Sequence, residues 1–110
     1  LLKITLKHKE LYYNKHMNKD IYRVQKSPSY SLYTKNGSNH RMHGPALTIG
    51  KDDYFYINGK RLTLSGHEDY IRSYLIHKEE YRLEAKFFEK ALESSDGIFI
   101  HDIELAENAS

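Results

Sequence analysis

Leu2, Ile4 and Leu6 alternate with Lys3, Thr5 and Lys7 at the start of the chain. A side-chain period of two is that of a strand with one buried face, and here it extends through Leu11 and Tyr13. Asn14 to Asp20 is polar and reads as a turn. Met17 within it is a candidate start, which would make the residues before it an upstream extension. Ile21 to Gln25 reads as the next strand and is broken by Ser27-Pro28-Ser29. After Tyr30 to Lys35 comes Asn36-Gly37, the strongest short hairpin signal, because both central residues of a type I′ turn need positive φ. Ala46 to Gly50 and Tyr54 to Leu64 read as further strands around a turn at Lys51-Asp52-Asp53. Asn58-Gly59 repeats the hairpin signal.

The two Asn-Gly pairs belong to an internal echo. Tyr33-Thr34-Lys35-Asn36-Gly37 and Phe55-Tyr56-Ile57-Asn58-Gly59 align on a shift of 22 residues. A period near 20 residues is the signature of stacked supersecondary units that bury their faces against one another.

Beyond Ser65-Gly66 the period changes. Tyr70, Tyr74, His77, Tyr81, Ala85, Phe88 and Leu92 are spaced three or four apart, the apolar stripe of a helix from His67 to Ser94. Ser65 followed by Glu68 has the capping-box spacing. Such a helix would be about 40 Å long at 1.5 Å per residue. It either breaks near Lys78-Glu79 or overhangs and pairs with a second copy. Asp96-Gly97 ends it, and Ile98 onward reads as a last strand. The expected fold class is therefore α+β. An antiparallel meander of about five or six strands (1–64) packs on one long C-terminal helix (65–95). A short final strand (97–105) returns to the sheet, and 106–110 is a tail. At 110 residues this makes one domain.

Charge changes this picture more than composition does. The net charge is +2, but residues 1–64 carry twelve Lys/Arg against four Asp/Glu (+8), and residues 65–110 carry five against eleven (−6). A basic sheet can lie against an acidic helix within the molecule, or it can meet an outside anion. Hydrophobic residues make up only 39% of the chain, and ten of them are Tyr. The core is thus expected to be shallow, or one face to be kept for a partner. No apolar run approaches the roughly 18 residues needed to span a bilayer, and no membrane association is expected. With no Cys there are no disulfides and no thiolate metal sites.

The candidate chemistry centres on residues 36–50, NGSNHRMHGPALTIG. His40 and His43 form an H-x-x-H, but Gly44-Pro45 places it in a loop, and zinc wants three or four ligands. A metal-dependent nuclease with a His general base is the enzymatic alternative. Asp52 and Asp53 are the nearest carboxylates, and they read as turn formers first. His101 and Asp102 are adjacent on a strand and point to opposite faces. Phosphate-loop spacing is absent. We therefore expect no catalytic residue, no metal and no cofactor. The polar loop reads as a structural corner made of Asn36, Gly37, His40, Arg41, Gly44 and Pro45, with Asn58 and Gly59 serving the second turn. Arg41 is expected to fold over the turn and bond its carbonyls. Tyr30, Tyr33, Lys35, Arg41, Tyr54, Tyr56, Lys60 and Arg61 are the candidate binding residues. Cations with interleaved aromatic rings suit phosphates and bases, and Tyr with Arg equally suits a protein interface.

The run His40-Arg41-Met42-His43-Gly44-Pro45-Ala46 followed by Tyr56-Ile57-Asn58-Gly59-Lys60 resembles a repeat in uncharacterised proteins of tailed bacteriophages. In these MORN-like tandem β-hairpin units Asn-Gly is followed by His-Arg, Gly-Pro-Ala and Ile. Asn36-Gly37, His40-Arg41, Gly44-Pro45-Ala46 and Ile49 match the unit, over about residues 30–72. His43 stands where the unit usually has Asp, so an Arg–Asp clamp would be missing or supplied from elsewhere. Leu62-Thr63 stands where a second His-Arg would be, which marks a capping unit. The resemblance implies phage origin and a location in the host cytoplasm, and it carries over no catalytic residues. The function expected from it is a small non-enzymatic protein that binds and modulates a host macromolecule, first of all a protein. A nucleic-acid-binding protein using the basic, Tyr-rich sheet is the alternative, and a homodimer through helix 67–94 is a further expectation.

Overall fold

Seven strands and two helices form within residues 18–74 and 78–102, the part of the chain that the computed structural model describes. The strands are β1 (Lys19–Ser27), β2 (Tyr30–Lys35), β3 (Ser38–Asn39), β4 (Leu47–Ile49), β5 (Asp52–Ile57), β6 (Lys60–Leu62) and β7 (Ile98–Asp102). The helices are α1 (Leu64–Tyr74) and α2 (Lys78–Glu93). The architecture is α+β, and the antiparallel sheet runs β6-β5-β4-β2-β1-β7, with β3 paired to β2 off that path. The strand expected over Leu2 to Tyr13, the candidate start Met17, the end of the last strand at 103–105 and the tail 106–110 lie outside the described residues.

Turn chemistry sets the register. Asn36 and Gly37 have φ of 52° and 81°, and Asn58 and Gly59 have 49° and 83°. Both pairs therefore occupy the doubly left-handed geometry of type I′ turns. Asn36 does more than supply positive φ. Its N–H donates to the Ile21 carbonyl (2.8 Å), its Oδ1 accepts from the Ile21 N–H (2.8 Å) and its Nδ2 donates to Asp20 Oδ1 (2.8 Å). The side chain thus stands in for the next residue of a ladder that β2 has ended. Asn36→Gly keeps the turn but leaves the Ile21 donor without its partner. We expect a loss of about 1–2 kcal/mol, read as a lower denaturant midpoint at unchanged m-value.

Several local expectations are corrected. The turn at 51–53 is tighter than expected. Gly50 and Lys51 make it, and Asp52 and Asp53 are strand residues paired with Ile49 and Thr48. Gly50 has φ of 61°, the hand that a two-residue hairpin loop prefers. Lys19 and Asp20, expected in a turn, open β1, where they pair with Asp102 and His101 of β7. The cap of the first helix is Thr63 and not Ser65. The Thr63 Oγ1 accepts from the Gly66 N–H (3.1 Å), and its carbonyl accepts from His67 N–H (2.9 Å). That is the N-cap to N3 geometry, and it starts the helix three residues before His67.

The single long helix is also corrected. Its stripe divides into α1 and α2, which meet opposite ends of the sheet. The first packs on β5 and β6, and the second on β1 and β7. Periodicity reports that each half is amphipathic, and says nothing about which strands each half meets.

The core lies between α2 and the middle strands. Tyr22, Val24 and Tyr33 from the sheet bury against Phe87, Phe88 and Ala91, with Leu83 and Phe99 at the margin. The rings meet edge-on or tilted. Tyr22 lies 5.1 Å from Phe87 and 5.2 Å from Phe88, and Tyr33 lies 5.3 Å from Phe88. These offsets match the quadrupole preference of aromatic pairs. Burial, reinforced by the nearby charges of Asp20, Glu84 and Glu80, pushes the ionisation of the Tyr22 hydroxyl well above its ordinary range. The α2–β7 corner is held by Asp96, whose carboxylate accepts from the Ser94 hydroxyl (2.6 Å) and the Ile98 N–H (3.1 Å). Those two bonds, the hydroxyl first, hold the Asp96 carboxyl below its usual range. Their contribution is complete above the ordinary Asp range and is lost as pH falls through the lowered value.

Candidate functional site

The histidine-bearing loop is an excursion from the middle of the sheet. The His40 N–H donates to the Tyr33 carbonyl (3.0 Å), and the Tyr33 N–H donates to the Ala46 carbonyl (2.7 Å). The chain therefore leaves and rejoins the sheet opposite the same residue. On the other side Arg41 N–H donates to Tyr56 O (3.1 Å) and Ala46 N–H to Tyr54 O (3.0 Å). Residues 41–45 thus form a detour between two short pieces of what would otherwise be one strand, β3 and β4.

His40 fixes this detour from below. The residue is 1% exposed. Its Nδ1 accepts from the Asn58 N–H (2.9 Å), so that nitrogen carries no proton. The Nε2–H then donates to Glu84 Oε2 (2.6 Å), and Glu84 Oε1 accepts from the Met42 N–H (3.1 Å). Both side chains of the pair are 2% exposed. One carboxylate from α2 thereby satisfies a ring donor and a backbone donor of the loop. A buried polar group is tolerable only when so paired.

Two further imidazoles clamp the same loop. His43 Nε2–H donates to the Tyr81 carbonyl (2.7 Å), and the His43 and Tyr81 rings lie 3.7 Å apart. His67, on α1, is buried and donates its Nε2–H to the Arg41 carbonyl (2.8 Å). Arg41 lies over the Tyr33 ring at 3.9 Å, and its Nη1 donates to the Pro45 carbonyl (3.3 Å). A Cβ on Gly44 would stand 3.4 Å from that guanidinium nitrogen, an ordinary contact, so it is the φ of 153° and not space that favours glycine there. The loop is bonded to both helices through side chains that a local reading of residues 36–50 does not contain.

The chemistry open to His40 is limited by its own saturation. Both nitrogens of His40 are engaged and neither faces solvent, so the ring has no site for a substrate proton or a metal. Among the described residues no group of three or more His, Asp or Glu side chains is placed to hold a metal ion. His101 stacks on Phe87 at 4.4 Å, and Asp102 lies 3.7 Å from Lys19 Nζ. Two cavities, of about 390 Å³ and 210 Å³, flank the loop.

The candidate binding residues do not share one face. Cross-strand partners lie on the same face of a sheet, and neighbours along a strand alternate. Tyr30, Leu32, Leu47, Ile49, Tyr54, Tyr56 and Arg61 fall together on the face away from the helices by register. Arg61 sits over the Tyr54 ring at 4.8 Å. Lys35 and Lys60 are on the opposite face, where Lys35 Nζ lies 5.7 Å from the centre of the Tyr22 ring. Tyr33 is 4% exposed, so the reading of it as a surface binding residue is corrected. Arg41 is spent on the loop.

Sequence reasoning missed Glu84, although a signal was present. It sits four residues before Phe88 and seven before Ala91, on the apolar stripe of its helix. A carboxylate on a buried stripe requires a donor from elsewhere. His67 gave no such signal, since it stood at the expected start of the helix. Among the described residues no helix is long and apolar enough to cross a membrane. No protein-family model matches the chain, and neither does any curated protein or any solved structure.

Proposed function

We propose that this chain is a small non-enzymatic interaction protein of phage type. It occupies and modulates a host macromolecule, first of all a protein, through the sheet face that carries Tyr30, Leu47, Ile49, Tyr54, Tyr56 and Arg61. The observation that supports this reading is the composition of that face. Aliphatic and tyrosine side chains lie side by side there, Ile49 is 50% exposed, and Arg61 is exposed above Tyr54. Tyr and Arg over an apolar base are what protein interfaces favour. The nucleic-acid alternative needs several cations beside the tyrosines. Of Lys35, Arg41, Lys60 and Arg61, only Arg61 is on their face; Arg23, paired with Thr34, joins it there by register, and Asp52 stands beside Ile49. The saturated His40–Glu84 pair supports a scaffold role for the loop and not a reactive one. A helix-mediated homodimer is not favoured, because Phe87, Phe88 and Ala91 of α2 are already spent on the sheet of the same chain.

Ile49→Asp combined with Arg61→Glu tests the reading, since both side chains are exposed and such changes usually move stability by no more than about 0.5 kcal/mol each. We expect the doubly changed chain to melt with the original and to lose capture of a discrete bacterial protein from host lysate. Equal capture by both chains refutes the assignment of this face. Retention of mixed-sequence DNA or RNA that falls steeply with salt moves the function to the nucleic-acid reading.

A further inference from the structure

The larger cavity beside the loop lies at the helix layer, away from the sheet face just discussed, and an inference about it stands independently of that reading. Its apolar walls are Met42, Phe55, Leu64, Ile71 and Tyr81. A volume of about 390 Å³ falls within the range of small-molecule sites. His43 and His67 also line it, so four of its lining residues bring rings. Leu64 at its margin is 57% exposed, which gives the cavity a route to solvent.

The polar character of the cavity is specific. His67 is 4% exposed. Its Nε2–H is committed to the Arg41 carbonyl, so its Nδ1 is a bare acceptor. Among the described residues nothing donates to that nitrogen. His43 is in the same state, its Nε2–H committed to the Tyr81 carbonyl. The cavity therefore offers lone pairs and no free ring donor from its histidines. Charge is balanced at the margin, where exposed Glu68 and Arg72 stand one helical turn apart. An ionic ligand would be desolvated against the apolar walls without a counter-charge among them.

We propose that this cavity binds a small neutral aromatic alcohol of the phenol class. Its ring lies among Phe55, Ile71 and Tyr81, and its hydroxyl donates to the Nδ1 of His67. The ring satisfies the apolar and aromatic walls, and the hydroxyl satisfies an acceptor nitrogen of the buried His67 side chain to which no described residue donates.

The chain has two methionines, Met17 and Met42, and Met42 is a reporter in the wall. The full chain carrying ¹³C-labelled methionine methyl groups is titrated with 4-methylphenol and, separately, with toluene, the Met42 signal being identified by its loss in Met42→Leu. We expect a saturable shift of that signal with 4-methylphenol and about tenfold weaker binding of toluene, the factor of one buried hydrogen bond. Ile71→Trp, which fills the cavity, should abolish both responses. His67→Phe should bring 4-methylphenol down to the affinity of toluene. Absence of a saturable Met42 shift overturns the proposal. Equal binding of toluene and 4-methylphenol to the unaltered chain overturns it too, and that comparison does not depend on any variant folding.

Discussion

Replacing Glu84 by alanine is expected to cost about 3 kcal/mol or more, although nothing in the proposed interface touches it. The carboxylate is 2% exposed and accepts from two donors, the His40 Nε2–H and the Met42 N–H. Hydrogen bonds to a charged group contribute about 1.5–3 kcal/mol each, and a buried donor left without a partner costs about 1–3 kcal/mol. Alanine removes the shared acceptor and leaves both donors inside. For a chain of this size 1 kcal/mol lowers the melting temperature by roughly 4–8 °C, so a drop of more than about 10 °C should appear in thermal unfolding. Glu84→Gln should fall between, because an amide keeps one acceptor but turns its N–H₂ toward a second donor. A double-mutant cycle with His40→Leu should give a coupling of about 1–3 kcal/mol between the two positions. If Glu84→Ala melts with the unaltered chain, the loop is not held by α2, and the account of it as a clamped scaffold fails.

The same pair explains how much of the architecture was legible beforehand. The Asn36-Gly37 and Asn58-Gly59 turns were readable because their dihedral demand is local, and only a few residue types meet it. The α+β class was readable because the side-chain period switches to that of a helix after Ser65 and back to that of a strand after Gly97. A break near Lys78-Glu79 was one of two alternatives that the length of the stripe left open, but the different strands that α1 and α2 pack against were not readable from the stripe they share. The turn at Gly50-Lys51 was misplaced for a related reason. Two adjacent Asp look like turn formers, but Asp53 is paired across the hairpin with Thr48, whose hydroxyl donates to its carboxylate (3.0 Å).

The candidate site divides in the same way. Residues 36–50 look chemical when read alone, because two His and an Arg crowd a Gly-Pro turn. Their partners come from positions far along the chain. Asn58 lies 18 residues from His40, Glu84 lies 44, and Tyr81 lies 38 from His43. Both His40 nitrogens are filled, a fact of tertiary packing that no local pattern carries. The separation of the basic residues is likewise tertiary. Lys35 and Lys60 sit near tyrosines in sequence, and the pleat sends them to the opposite face.

A contrast between two glycines gives the second large effect. Gly97 joins α2 to β7 with φ of 72°, and its carbonyl accepts from the Val24 N–H (2.8 Å). A Cβ built there would lie 2.4 Å from the Val24 carbonyl oxygen, closer than real contacts allow, and the obstacle is backbone, which cannot rotate away. Gly97→Ala therefore adds a steric push between β1 and its edge partner β7 to the strain of a left-handed alanine, itself about 1–2 kcal/mol. The expected loss is at least about 3 kcal/mol, with amide exchange accelerated first along the β1–β7 ladder, since relief of the clash requires those strands to part. Gly50→Ala is the control. Its φ is 61° and nothing stands within 4 Å of the added carbon, so only the conformational strain remains. That variant should lose about 1–2 kcal/mol and leave exchange along β7 unchanged. Equal losses at the two positions would mean that β7 does not hold Gly97 against Val24, and the sheet would then have to end at β1.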